Sequence, residues 1–211
     1  MSDAPAGLIL AAGAGRRFGG TKQLADLRGR PLLEYALDAM LAVPALDPVL
    51  VVLGHAADAI LERIDFGAAE VVICEEWDRG QGFSLRRGIA ALDEADAAVV
   101  TLGDQPFITP QVIAGALVHL GGYDAVRASY DGQPGHPVVL GRRVMDAVVE
   151  LNGDVGARDL LARFDVRDWE AGHLASATDV DTPEELARHL GGSSAEKAGA
   201  GAAPPPPVPP A

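Results

Sequence analysis

The residues best suited to chemistry lie in the stretch Leu8-Ile9-Leu10-Ala11-Ala12-Gly13-Ala14-Gly15-Arg16-Arg17-Phe18-Gly19-Gly20-Thr21-Lys22. An apolar run stops at glycines and is followed by two arginines and a lysine. Such a turn brings backbone N–H groups and positive charge up against a polyphosphate. Lys22 is one of only two lysines, the other being Lys197. In a chain that otherwise prefers arginine, a compact point charge here suits a phosphate. The alternative is an ordinary strand-to-helix turn with solvated charges. Related loops are excluded by their spacing. Phe18 stands where a dinucleotide fingerprint needs its third glycine, and Thr21-Lys22 reverses the order that a Walker loop requires after Gly15 and Gly20. A nucleophile elbow would need a central serine, which is absent.

A second chemical signal is Gly103-Asp104-Gln105-Pro106, after the apolar run Ala98-Val99-Val100-Thr101-Leu102. A carboxylate at the end of a buried strand, held between a glycine and a nearby proline, is well placed to coordinate a metal. Mg²⁺ takes oxygen ligands, usually one or two carboxylates with phosphates and water. Asp104 is the first candidate ligand, although aspartate is also a common turn former. Near the other end, Thr182-Pro183-x-Glu185 reads as a helix start with a capping box. That leaves Asp179 and Asp181 unexplained, alternating on one face of an extended segment. Between these signals lies Gly80-Gln81-Gly82-Phe83-Ser84, read as a glycine-rich loop with Ser84 capping the helix that follows. Its glycines would let backbone approach a planar ligand.

The elements that position these residues follow from hydropathy. Strand-like runs occupy 7–12, 48–53, 70–74, 97–102, 124–129 and 137–140. Helical patterns follow Pro31 (Leu32 to Leu41) and cover 56–63, 83–94 and 110–120, the last with Thr109 as a natural cap. The alternation predicts an α/β fold, a Rossmann-like, mostly parallel sheet flanked by helices in a single domain over residues 1–191. In such sheets ligands bind at strand carboxyl ends, where the order reverses. The segment from 130 to 175 is rich in Gly, Pro and Asp, and reads as an insertion that covers the crevice and handles a second substrate. Residues 192–211 are Gly, Ala and Pro rich and are expected not to fold.

Composition narrows the classes. The chain has 211 residues, 48% of them hydrophobic, and a formal net charge of −13. So acidic a surface argues against a nucleic-acid partner. A protein of this charge that binds a polyanion must gather its positive charge locally, as Arg16, Arg17 and Lys22 do, and add a cation. No apolar stretch is long enough for a membrane span. The first residues show no export signal. Cys74 is the single cysteine, read as a buried core thiol in a protein of the reducing cytoplasm. The five histidines show no zinc-like spacing with cysteine.

The pattern Leu-Ala-Ala-Gly-x-Gly-x-Arg-Phe-Gly with a lysine three residues on resembles the signature loop of nucleotidyltransferases that activate sugars, isoprenoid precursors and the molybdenum cofactor. The resemblance covers about residues 7–190. With Gly103-Asp104-Gln105-Pro106, Gly135-His136-Pro137-Val138, Asn152-Gly153-Asp154-Val155-Gly156-Ala157-Arg158 and Asp179-x-Asp181-Thr182-Pro183, it extends to the molybdenum cofactor cytidylyltransferases of the MobA-like family. It implies a nucleotide-diphospho-sugar transferase fold and transfer of CMP from CTP to molybdopterin. It further implies that the loop Leu10, Ala11, Ala12, Gly13 and Gly15 wraps the triphosphate and that Arg17 and Lys22 hold the phosphates. Gly80, Gln81, Gly82 and Ser84 would face the base. Asp181, with Asp179 as the alternative, would complete the Mg²⁺ site with Asp104. His136, Gly153, Asp154, Gly156 and Arg158 would serve the pterin side. A recipient molybdoenzyme or its delivery chaperone would be the protein partner. The alternatives are a guanylyltransferase, another phosphorylated acceptor, or a non-catalytic chaperone that carries the cofactor.

Overall fold

The structure is a computed structural model that describes residues 4–148, 157–172, 174 and 182–191. In chain order the strands are β1 (Ala6–Ala11), β2 (Asp26–Leu27), β3 (Arg30–Pro31), β4 (Val49–Leu53), β5 (Glu70–Ile73), β6 (Ala97–Leu102), β7 (Ala125–Tyr130), β8 (Gln133–Gly141) and β9 (Val166–Glu170). The helices are α1 (Leu32–Leu41), α2 (Ala57–Leu61), α3 (Gln81–Ile89), α4 (Pro110–Val118), α5 (Arg142–Ala147), α6 (Ala157–Leu161) and α7 (Pro183–Gly191).

Seven strands form one sheet in the order β5-β4-β1-β6-β8-β7-β9, and β2 and β3 form a separate hairpin. All neighbours in the large sheet run parallel except β8, which is antiparallel to both β6 and β7. Successive β1 residues alternate between the two faces, as strand geometry requires. Ile9 and Ala11 join Leu33, Val51, Val99 and Ile113 in one apolar layer. Leu8 and Leu10 join Val52, Phe83, Ile89, Val100 and Met145 in the other. Cys74 is buried in the second layer, as expected. Among the described residues no helix is long and apolar enough to cross a membrane.

The chain winds outward from β1 through β4 to β5, then crosses back to place β6 on the other side of β1. The order therefore reverses between β1 and β6, which opens a crevice above their carboxyl ends. The glycine loop leaves β1 there, and Asp104 follows β6.

Three expectations need correction. First, the segment from 130 to 175, read as an insertion over the crevice, contributes to the sheet itself, because β8 spans nine residues inside it and β9 adds a further strand. Gly135, Pro134 and Pro137 lie in the first half of β8, while its second half, Val138-Val139-Leu140, is buried. Second, α3 begins at Gln81, not at residue 83, and ends at Ile89 rather than 94. Gly80, at φ 119° and ψ 163°, turns the chain straight into the helix through a conformation open essentially to glycine alone. Third, Ser84 is consequently a buried residue inside α3 and not its cap. Thr109 does cap α4, its Oγ accepting from the Val112 N–H at 3.4 Å.

Candidate active site

The site starts with a glycine loop that its own residues hold open. Gly15 sits at φ 58°, and a Cβ there would lie 2.7 Å from the Gly20 carbonyl oxygen. Both the left-handed backbone and the close approach therefore require glycine. The Gly15 carbonyl accepts from the N–H groups of Phe18 and Gly19 at 2.8 and 3.1 Å, which folds the arginine segment back over the cleft. Gln23 then locks the start of the loop. Its Nε2 donates to the carbonyls of Ala11 at 2.7 Å and Gly13 at 2.9 Å, while its Oε1 is buried with no hydrogen bond among the described residues.

Neighbouring strand ends join the same frame. The Gly103 N–H donates to Leu10 at 3.0 Å and the His55 N–H to Ala12 at 3.0 Å, so the turns after β6 and β4 are tied to the loop after β1. Lys22, only 5% exposed, reaches across and places Nζ 2.6 Å from Asp104 Oδ2. The second carboxylate oxygen, Oδ1, is buried and has no hydrogen-bond partner among the described residues. A buried carboxylate oxygen left without a donor is costly unless something binds it.

Together these groups line a cleft of about 320 Å³. Ten residues expected from the sequence meet there: Leu10, Ala11, Ala12, Gly13, Gly15, Arg17, Lys22, Gln81, Ser84 and Asp104. Gly80 and Gly82, also expected there, are not among the lining residues: Gly80 is the cap of α3 and Gly82 is buried in its first turn. Two lining residues, Gln23 and Trp77, were not anticipated. A glutamine after the lysine carries no motif signal, and Trp77, in the turn after β5, reaches the cleft by packing over Gly54, immediately after β4.

His136 lies on β8, whose first half runs past the carboxyl end of β6. The Val100–Val138 pair fixes that register. Burial pushes the His136 imidazole down to about 4, while the nearby charge of Asp104 acts in the opposite direction. His136 is thus a neutral imidazole at neutral pH, within the electrostatic reach of the candidate metal ligand. Gly153, Asp154, Gly156, Asp179 and Asp181 lie outside the described residues, and of Arg158 only the backbone, in α6, is described. Thr182 does form the expected capping box, donating its N–H to Glu185 Oε2 at 3.1 Å and accepting from the Glu185 N–H at 3.2 Å.

A divalent cation fits the Asp104 end of the cleft. An unpartnered carboxylate oxygen beside a phosphate-type loop is the donor set that Mg²⁺ or Mn²⁺ shares with phosphate oxygens and water. Among the described residues no group of three or more His, Cys, Asp or Glu side chains could hold a metal by itself. Asp104 could therefore hold a cation only together with a phosphorylated ligand or a residue beyond those described.

Residues 7–169 match the MobA-like NTP transferase domain. The chain belongs to this nucleotidyltransferase family. Among its relatives, nicotine blue oxidoreductase of Paenarthrobacter nicotinovorans is 34% identical over 198 residues, which cover 87% of this chain and 95% of that protein. The purine catabolism protein PucB of Bacillus subtilis (strain 168) is 32% identical over 194 residues, or 85% of this chain and 92% of PucB. The crystal structure of Rv0371c from Mycobacterium tuberculosis H37Rv matches with a TM-score of 0.81 at 30% identity, covering 90% of this chain and 98% of that one. A complex of Rv0371c with manganese matches with a TM-score of 0.76 at 29% identity, covering 89% and 98%. A divalent metal is therefore present in the structure of one relative, and the nucleotide triphosphate substrate of the family suits the loop and the positively charged side chains described above.

Proposed function

We propose that this MobA-like transferase moves CMP from CTP to the terminal phosphate of a molybdopterin-type cofactor, releasing pyrophosphate and forming the cytosine dinucleotide. The carrying observation is the Lys22–Asp104 pair beneath the glycine loop, with Asp104 Oδ1 unpartnered. A triphosphate over the loop would receive backbone N–H groups from Ala12 to Gly15 and charge from Arg17 and Lys22. The cytidylyl choice rests on the resemblance of Gly103-Asp104-Gln105-Pro106 to that branch, and the pterin acceptor on the position of His136 beside Asp104. Gly153, Asp154, Gly156 and Arg158 would complete the acceptor side. The reaction belongs to the cytoplasm, with a recipient molybdoenzyme or its chaperone taking the product.

A terminal phosphate oxygen of the acceptor attacks the α-phosphorus of CTP. The bond to the bridging β-phosphate oxygen breaks, and pyrophosphate leaves with its electron pair. The attacking oxygen is already anionic, so no enzyme nucleophile or general base is required. The work of the chain is positioning and charge neutralisation. Arg17 and Lys22 face the charge that grows on pyrophosphate. Mg²⁺ bound by Asp104, with Asp181 as the second carboxylate, would supply electrostatic stabilisation at the α-phosphate.

One observation favours a second reading. The 34% identical relative is named as an oxidoreductase acting on nicotine blue. Under that reading the same loop holds a redox nucleotide by its phosphates. The test is pyrophosphate release with Mg²⁺ and molybdopterin, supplied with CTP or GTP in parallel, next to a nicotine blue reduction assay. Release with CTP alone supports the proposal. Release with GTP alone keeps the transfer and replaces the base. Reduction without release replaces the transferase reading, and tight cofactor binding without either activity indicates a carrier.

A further inference from the structure

The cleft is asymmetric along the row of strand ends. Over β1 lie the glycine loop and its cations. On the β6 side stand Lys22 and Asp104, with His136 beyond on β8. On the β4 side the lining is uncharged: Trp77, Gln81 and Ser84. A nucleoside triphosphate has the same polarity, with its charge at one end and a planar neutral ring at the other. Its base would therefore lie toward β4, where Trp77 is the aromatic residue of the lining.

Trp77 is held there by construction. The indole packs on the apolar layer beneath α3. It also covers Gly54, immediately after β4, so closely that a Cβ at position 54 would lie 2.5 Å from Trp77 Cβ and 2.7 Å from Cγ. The His55 ring meets it edge-on, with centroids 5.1 Å apart and planes at 78°. The other aromatic residue of the lining, Phe18, packs instead against the separate cluster of Leu27, Leu32 and Leu186.

We propose that Trp77 is the stacking platform for the nucleobase, and that Gly54 and His55 fix the angle at which the indole is presented. This rests on the reading of the cleft as a nucleoside triphosphate site. Stacking is tolerant of base identity because every base has a π-face. Trp77 therefore supplies affinity and orientation, and discrimination between bases falls to the polar groups of Gln81 and Ser84.

The chain has two tryptophans. Trp169 stacks on His119, with centroids 4.9 Å apart, and is absent from the cleft lining. Trp169→Phe in the full chain thus leaves Trp77 as the sole indole reporter. With Mg²⁺ present, CTP and GTP are expected to quench its emission, whereas inorganic tripolyphosphate binds without quenching. Trp77→Ala is expected to weaken CTP binding about 5- to 150-fold by calorimetry, the scale of one lost base–aromatic stack, and to leave tripolyphosphate binding unchanged. Trp77→Phe should restore most of the loss. Gly54→Ala keeps the indole but displaces it, and should weaken CTP in the same selective way. The proposal is overturned if CTP binds the Trp77→Ala and Gly54→Ala variants as tightly as the parent. It also falls if both variants lose CTP and tripolyphosphate alike, which marks a packing role. If the parent binds tripolyphosphate but no nucleotide, the triphosphate reading of the cleft fails with it.

Discussion

Two ion pairs, one at the edge of the sheet and one above its centre, differ in what surrounds them. On β7 and β9, Arg127 meets its register partner Asp168 through two parallel bonds, Nε to Oδ1 at 2.8 Å and Nη2 to Oδ2 at 3.1 Å. Next to it, Glu170 accepts from the N–H groups of Gly172, Gly132 and Asp131 and from the Ser129 hydroxyl. These donors, the Gly172 N–H foremost, hold its carboxyl below the usual carboxylate range. Both of these acids have both oxygens occupied. In the crevice, Lys22 and Asp104 form a more buried pair, yet Asp104 Oδ1 and Gln23 Oε1 have no hydrogen bond among the described residues. A saturated polar network stabilises a strand edge, whereas a buried pair with acceptors to spare has room for a ligand.

The largest effect that could break this contrast is at Asp104. Asp104→Ala is expected to cost at least about 10²-fold in turnover, the scale of one lost electrostatic stabiliser. Near-normal turnover, measured as pyrophosphate release, would remove the metal assignment. Gln23→Met, which keeps the volume but drops both hydrogen bonds to the loop carbonyls, is expected to lower kcat/KM on the order of 10-fold by misplacing the loop. Loss of thermal stability with unchanged kcat/KM would make Gln23 purely structural.

His136 offers a pH test. Its folded-state value is down at about 4, below the ordinary 6.5, so between those limits the unfolded chain binds a proton that the folded chain refuses. Its contribution is complete above pH 6.5 and is lost as pH falls toward 4. Urea unfolding across that window should show stability falling with acid, less steeply in His136→Gln. An identical slope in the variant would place the titration elsewhere. The smallest effect is expected at the far edge. Arg127→Ala should cost no more than about 1 kcal/mol of stability, as for exposed pairs, and leave turnover unchanged. A turnover defect there would show that the strand edge communicates with the crevice.

Much of the site was legible because it is local. Strand, glycine turn and cation follow one another between Leu8 and Lys22, and Gly103-Asp104 terminates its own strand. The helix caps and apolar runs are equally local, since a helix cap or a strand face is decided by neighbours a few residues apart. The miss at α3 was also local: Gly80 reads as a loop residue, but its positive φ starts the helix at once.

The amino-acid sequence by itself determined that an acidic α/β chain carries a phosphate-type loop and a carboxylate at the ends of two buried strands. Only the tertiary structure decided that those strands are neighbours, because the reversal of order between β1 and β6 is a property of the whole sheet. It alone inserted β8 antiparallel next to β6, which brought His136 within the electrostatic reach of Asp104. Tertiary packing likewise turned Gln23 into the clamp of the loop and laid Trp77 over Gly54. Contacts of this kind join residues far apart in the chain, and no short-range pattern of hydropathy or charge encodes them.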